Sequence, residues 1–96
     1  MNKYEIMFIV KTTLAEEDIK KAITKFKKII TDNKAKIVEE KDMGQKELAY
    51  EIKKSKSGYY YVIVVEAKDD KAISEFDRLA RISKDIIRHL ITKIED

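Results

Sequence analysis

The sequence predicts a single small α+β domain in which two helices cover one face of a four-stranded antiparallel sheet. Three observations carry this. Two stretches repeat apolar residues at steps of three and four, the period of a buried helix face. Four other stretches are rich in β-branched and aromatic residues, one with a strict two-residue alternation. The chain has 96 residues, 44% of them hydrophobic, which is enough for one core over residues 1–96 and leaves no room for a second.

The first strand is expected over Lys3–Val10. Tyr4, Ile6, Phe8 and Val10 are all apolar, while Lys3, Glu5, Met7 and Ile9 start charged and turn apolar, as in a central strand. Thr13-Leu14-Ala15-Glu16 reads as a capping box. The helix after it buries Ile19, Ala22, Ile23, Phe26, Ile29 and Ile30, and Asp32-Asn33 stops it because asparagine tolerates a left-handed turn. Ala35–Asp42 reads as the second strand. Gly44 interrupts it with a bulge or bend, and Leu48, Tyr50 and Ile52 resume it in alternation. Lys53–Gly58 is expected as a turn with three lysines, and Tyr59–Ala67 as the third strand of a hairpin. Asp69-Asp70 caps a second helix with Ile73, Phe76, Leu79 and Ala80 on its buried stripe. Arg81–Asp85 connects it to a last strand over Ile86–Ile94.

Strand-helix-strand-strand-helix-strand is the split βαβ, or ferredoxin-like, sandwich. Right-handed crossovers put both helices on one sheet face, with the first and third strands central. The other face is left without a helical cover, which is where partners dock in this fold class.

The fold does not decide function, so the side chains must. Without cysteine there is no disulfide, thiolate metal site or cysteine nucleophile. Gly44 and Gly58 are the only glycines, too few for a phosphate-cradling loop. One histidine, His89, cannot build a His-centred metal cluster. The carboxylates are interleaved with lysine, the pattern of a solvated helix face. No catalytic residue, metal or cofactor is expected. The longest aliphatic run, Val62–Val65, is far short of the ~20 residues that span a bilayer, and the N-terminus lacks a signal-peptide centre. The chain is thus expected to be soluble, cytoplasmic and unattached to membranes. A net charge of +3 permits nucleic-acid binding without demonstrating it.

Two features remain. Lys53, Lys54 and Lys56 gather positive charge at a hairpin tip, suited either to solubility or to phosphate contact. On the third strand, Tyr59, Tyr61, Ile63 and Val65 should face the helices. Tyr60, Val62 and Val64 then share the open face with Met7 and Ile9, an apolar patch that suits a protein interface. An RNA-recognition motif shares the fold and stacks bases on paired aromatics, but only Tyr60 is expected on this face.

Gly44-Gln45-Lys46-Glu47-Leu48-Ala49-Tyr50-Glu51-Ile52-Lys53 resembles the signature of the bacterial small-subunit ribosomal protein six family. Tyr4-Glu5, Gly58-Tyr59 and Arg88-His89-Leu90 match it too, so the resemblance runs through essentially the whole chain. It implies a structural, non-catalytic role. It also implies pairing with small-subunit ribosomal protein eighteen and binding to the central domain of the small-subunit ribosomal RNA. By position it makes Lys3, Lys46, Lys53, Lys54, Lys56 and Arg88 the RNA contacts. Glu47 departs from relatives that carry a second basic residue there, and the acidic end Glu95-Asp96 is short. The chain is expected to be monomeric when isolated. The alternative is a stand-alone RNA-recognition or protein-interaction module on the same fold.

Overall fold

Three phenylalanines bring the layers together. In a computed structural model, which describes residues 2–52 and 55–94, Phe8 of the sheet meets Phe26 and Phe76 of the two helices. Their ring centroids lie 5.2–6.1 Å apart in tilted and edge-on pairs, and all three rings are fully buried. Each buried phenylalanine contributes about 1.5–3 kcal/mol from burial, and each aromatic pair about 0.5–1.5 kcal/mol more.

The elements are β1 (Asn2–Lys11), α1 (Glu16–Asp32), β2 (Lys36–Ile52), β3 (Ser55–Ala67), α2 (Lys71–Ile82) and β4 (Ile86–Ile94). The sheet order is β2-β3-β1-β4 with every pairing antiparallel, as the ferredoxin-like reading requires. Ile6, Phe8 and Val10 of β1 and Tyr61, Ile63 and Val65 of β3 form the sheet side of the core. Ile19, Ala22, Ile23, Phe26 and Ile30 of α1 and Ala72, Ile73, Phe76 and Ala80 of α2 form the helix side. Glu16, Glu17 and Asp18 place acid at the first turn of α1, where the helix dipole favours it.

The local signals of the sequence are met by other means at several ends. The Thr13 capping box does not form. Leu14 packs against the core, the N-cap is the extended Ala15 (φ −62°, ψ 153°), and α1 starts without a side-chain cap. At its other end the left-handed residue is Lys34 (φ 66°), not Asn33. The amides of Lys34 and Ala35 bond back to the carbonyls of Thr31 and Ile30, a Schellman motif, while Asn33 Nδ2 donates to Ile29 O at 2.8 Å. At the start of α2, Asp69 Oδ1 accepts the Lys71 amide at 3.0 Å, whereas Asp70 makes no side-chain cap. The helix continues through Arg81 and Ile82, shortening the expected connection.

The hairpin is longer than its sequence suggests. β2 runs unbroken past Gly44, whose φ of 76° marks the expected bulge between Asp42 and Gly44. β3 begins at Ser55, so Lys56, Ser57 and Gly58 of the expected turn are strand residues, and Lys53 and Lys54 lie outside the described residues. Two further irregularities in β2 fall between Ile37 and Glu39 and between Glu47 and Ile52.

Gly58 therefore has a packing role rather than a turning one. It pairs with Lys11 and Lys46, and a Cβ there would stand 2.2 Å from Ile9 Cγ2 and 3.4 Å from Ile87 Cδ1. Ile87 is the extra residue of the β1–β4 bulge and is buried with Ile9. Gly58→Ala should destabilise the domain by about 1–3 kcal/mol through overpacking. Chemical denaturation checks this, and a loss near zero would contradict the close approach.

Candidate binding face

The register assembles the uncovered face row by row, since residues directly opposite in a sheet share a side. Met7 lies between Val62 and Leu90, Ile9 between Tyr60 and Arg88, and Glu5 between Val64 and Thr92. Lys3 lies between Glu66 and Ile94. Beyond β3, Lys41 is opposite Val62 and Glu39 opposite Val64. Met7, Tyr60, Val62 and Val64 are half-buried on this face. Glu5, Glu39, Lys41 and Met43 surround Val62 and Val64 in a shallow pocket of about 240 Å³.

Ile9 needs a correction. It occupies the expected face but is only 2% exposed, because Gly58 lets β3 close against it and Ile87 fills the space beside it. It supports the surface from beneath and offers little of it. Leu90, which the sequence reading did not single out, is 56% exposed in the next strand. Its signal was its pairing parity with Met7.

The far end of the hairpin curls over this face. Four residues of β2, Leu48–Glu51, stand opposite only Lys56, a large bulge that bends the strand and re-aims its side chains. Leu48, Ala49 and Tyr50 thereby meet Met7, Ile9, Tyr60, Arg88 and Leu90 around a cleft of about 190 Å³. Tyr50 is 70% exposed. The expectation of a lone aromatic on this face is therefore incomplete: the arm delivers a second one. Period-two alternation gave no hint of it, because the bulge resets the faces.

On the opposite side of β3, two tyrosines are tied to β2. The Tyr59 hydroxyl donates to the Asp42 carboxylate at 2.6 Å, which with partial burial pushes its pKa up to about 12. Asp42 also accepts the Gly44 amide at 3.0 Å, fixing the bulge. Tyr61 donates to Glu40, and desolvation first, then this bond, raises its pKa further. Lys27 of α1 reaches the same Glu40 oxygen at 2.7 Å. The bonds from Lys27 and then Tyr61 hold the Glu40 carboxyl below its ordinary value. These ties hold β3 against both β2 and α1 while Tyr60, Val62 and Val64 face outward.

The four predicted cations among the described residues fall into two groups. Lys46, Lys56 and Arg88 are exposed near the arm and make no ion pair among the described residues. Lys46 Nζ lies 5.9 Å from the Tyr60 ring centroid. Lys3 is six residues from Ile9 along β1, about 20 Å away, and pairs with Glu66 at 4.0 Å. Lys53 and Lys54 lie outside the described residues. His89 turns to the helix side, where Nε2 donates to Asp77 Oδ1 at 2.7 Å beside the Phe76 ring. That bond, with Arg81 adding to it, keeps the Asp77 carboxyl below its usual range. Among the described residues no group of three or more His, Cys, Asp or Glu side chains could hold a metal, and no helix is long and apolar enough to cross a membrane.

The chain is a ferredoxin-like α+β sandwich with an apolar open face, an overhanging arm and cations beside it. The family model described as Ribosomal protein S6 matches residues 3–93. The crystal structure of 30S ribosomal protein S6 from Thermotoga maritima superposes with a TM-score of 0.91 at 34% identity, covering 97% of this chain and 87% of that one. The chain belongs to the ribosomal protein S6 family. It is a constituent of the small ribosomal subunit that binds ribosomal RNA, and a structural protein rather than an enzyme.

The Glu40 ties predict a pH dependence. A carboxyl depressed below 4.5 in the folded chain stabilises it above that pH, and the contribution is lost as pH falls through the lower folded value. Glu40→Gln should cost about 1 kcal/mol or less at pH 7, because the pair is substantially exposed. It should also flatten the acid limb of the stability profile below about pH 5. Denaturation midpoints measured across that range check both, and an unchanged acid limb would remove Glu40 from the balance.

Proposed function

We propose that the chain pairs with small-subunit ribosomal protein eighteen across its open sheet face, and that the pair binds the central domain of the small-subunit ribosomal RNA. The row Val62–Met7–Leu90, continued by Val64, carries this reading: three adjacent strands present apolar side chains where no helix covers them. Burying such a row is the ordinary driving force of a protein interface. Met7, Tyr60, Val62 and Val64 make the contact, and Ile9 backs it. In this reading the partner is a different chain and the isolated protein is a monomer. Its place of action is the ribosome in the cytoplasm.

In the same reading, Lys46, Lys53, Lys54, Lys56 and Arg88 hold RNA phosphates around the arm, and Lys3 contributes at the other end of the sheet once it leaves Glu66. Lysine suits this work, because its ammonium is a flexible point charge without the planar fork that favours bidentate base contacts.

Val62→Lys should abolish pairing with protein eighteen while the domain stays folded, since Val62 is only half-buried. Titration calorimetry with far-UV dichroism as the fold control measures both, and intact pairing would sink the assignment of this face.

Replacing Lys53, Lys54 and Lys56 together with glutamine should weaken RNA binding by the pair. It should flatten the log–log salt dependence by up to ~2–3 units, because each phosphate contact releases counterions. Pairing with protein eighteen should persist. A salt slope equal to that of the unaltered chain would return these lysines to a solvated tip.

A further inference from the structure

We propose that the cleft between the arm and the open face takes one unpaired RNA base stacked on Tyr50, with Arg88 and Lys46 beside its phosphates. This rests on the RNA-binding half of the proposed function and adds a base contact to what would otherwise be a charge contact alone.

Three independent features meet here. The first is the bulge. Leu48–Glu51 contribute little to the ladder, yet they carry a large aromatic ring to the rim of the sheet. An exposed tyrosine alone is ordinary. A tyrosine placed at 70% exposure by four residues spent on a bend, over a preformed cleft, is a presented one.

The second is the shape and lining. Leu48 and Ala49 give the cleft an apolar wall on the arm, Tyr60 stands half-buried beside it, and Met7 and Leu90 form the edge of the floor where it borders the row that meets protein eighteen. Flat aromatic rings over an apolar floor suit a flat base, and stacking accepts any base because each has a π-face.

The third is charge. Arg88 lines the cleft, and Lys46 lies against the Tyr60 ring. Neither makes an ion pair among the described residues, so both are open to an anionic group. Glu47 and Glu51 are the acidic groups of the arm, and they line its other side with Gln45 and Lys56. The cleft thus joins aromatic rings to uncompensated cations, the combination that fits a nucleotide.

The test uses the full chain assembled with protein eighteen and a central-domain RNA fragment, comparing Tyr50→Ala, Tyr50→Phe and Lys46→Gln. Tyr50→Ala should weaken RNA binding about 5- to 150-fold, the range for one stacked base. It should leave the salt slope and the pairing with protein eighteen unchanged, because stacking releases no counterions and the ring lies outside the apolar row. Tyr50→Phe should bind within about twofold of the original, since the ring face is kept. Lys46→Gln should lower the slope by ~0.7–0.9. Zero-length ultraviolet crosslinking should join RNA to the Tyr50 peptide. Melting of Tyr50→Ala serves as the fold control.

If Tyr50→Ala binds RNA normally while Lys46→Gln reduces the slope, the stacking role is overturned and the RNA reading stands. If Tyr50→Ala loses protein eighteen in the absence of RNA, the cleft takes a protein side chain and the inference is overturned. If the original pair binds no RNA fragment, the underlying reading fails and the inference with it.

Discussion

The contact among Phe8, Phe26 and Phe76 is the constraint on which the rest depends. One ring comes from the centre of the sheet and one from each helix, so a single aromatic cluster commits both helices to the same face. A sheet of four strands has two faces, and the described residues form two helices. Once both are spent on one side, the other must be met by solvent or by another molecule. The binding capacity of the protein is therefore a direct consequence of how its core closes.

Strand β3 turns that asymmetry into a usable surface. Its odd-numbered residues belong to the core or to the ties with β2 and α1, and its even-numbered residues to the open face. Tyr59 and Tyr61 are fixed through their hydroxyls, Gly58 admits Ile9, and the outward row inherits the rigidity of the inward one. Preorganisation of this kind reduces what association must spend on ordering side chains.

Much of this was legible in the sequence, because it follows from period. The apolar steps of both helices, the alternation in β1 and β3, and the apolar patch around Val62 needed only the fixed geometry of helix and strand. What escaped depended on contacts between distant residues. The helix starts later than the Thr13 capping box implies, with Ala15 as its N-cap and Leu14 packed against the core. Gly58 reads as a turn residue until Ile9 is seen against it. Tyr50 changes role because a bulge erases the parity from which its face would be inferred. Ile9 has the right parity, but parity gives a side and not an exposure. The residues of the central family signature, from Gly44 onward, are the ones whose structure was hardest to derive from alternation.

Strand β2 forms one border of the sheet and is 17 residues long. A border strand of that length offers a continuous row of free amides and carbonyls on which a second copy could align, the first step toward fibrous self-association. Here the row is cut at three places, by the irregularities after Ile37, Asp42 and Glu47, and charged side chains stand between the cuts. No straight segment of more than a few residues is left to serve as a template. The same bends that aim an arm over the open face thus leave a lysine-rich chain with little straight edge on which to join to itself.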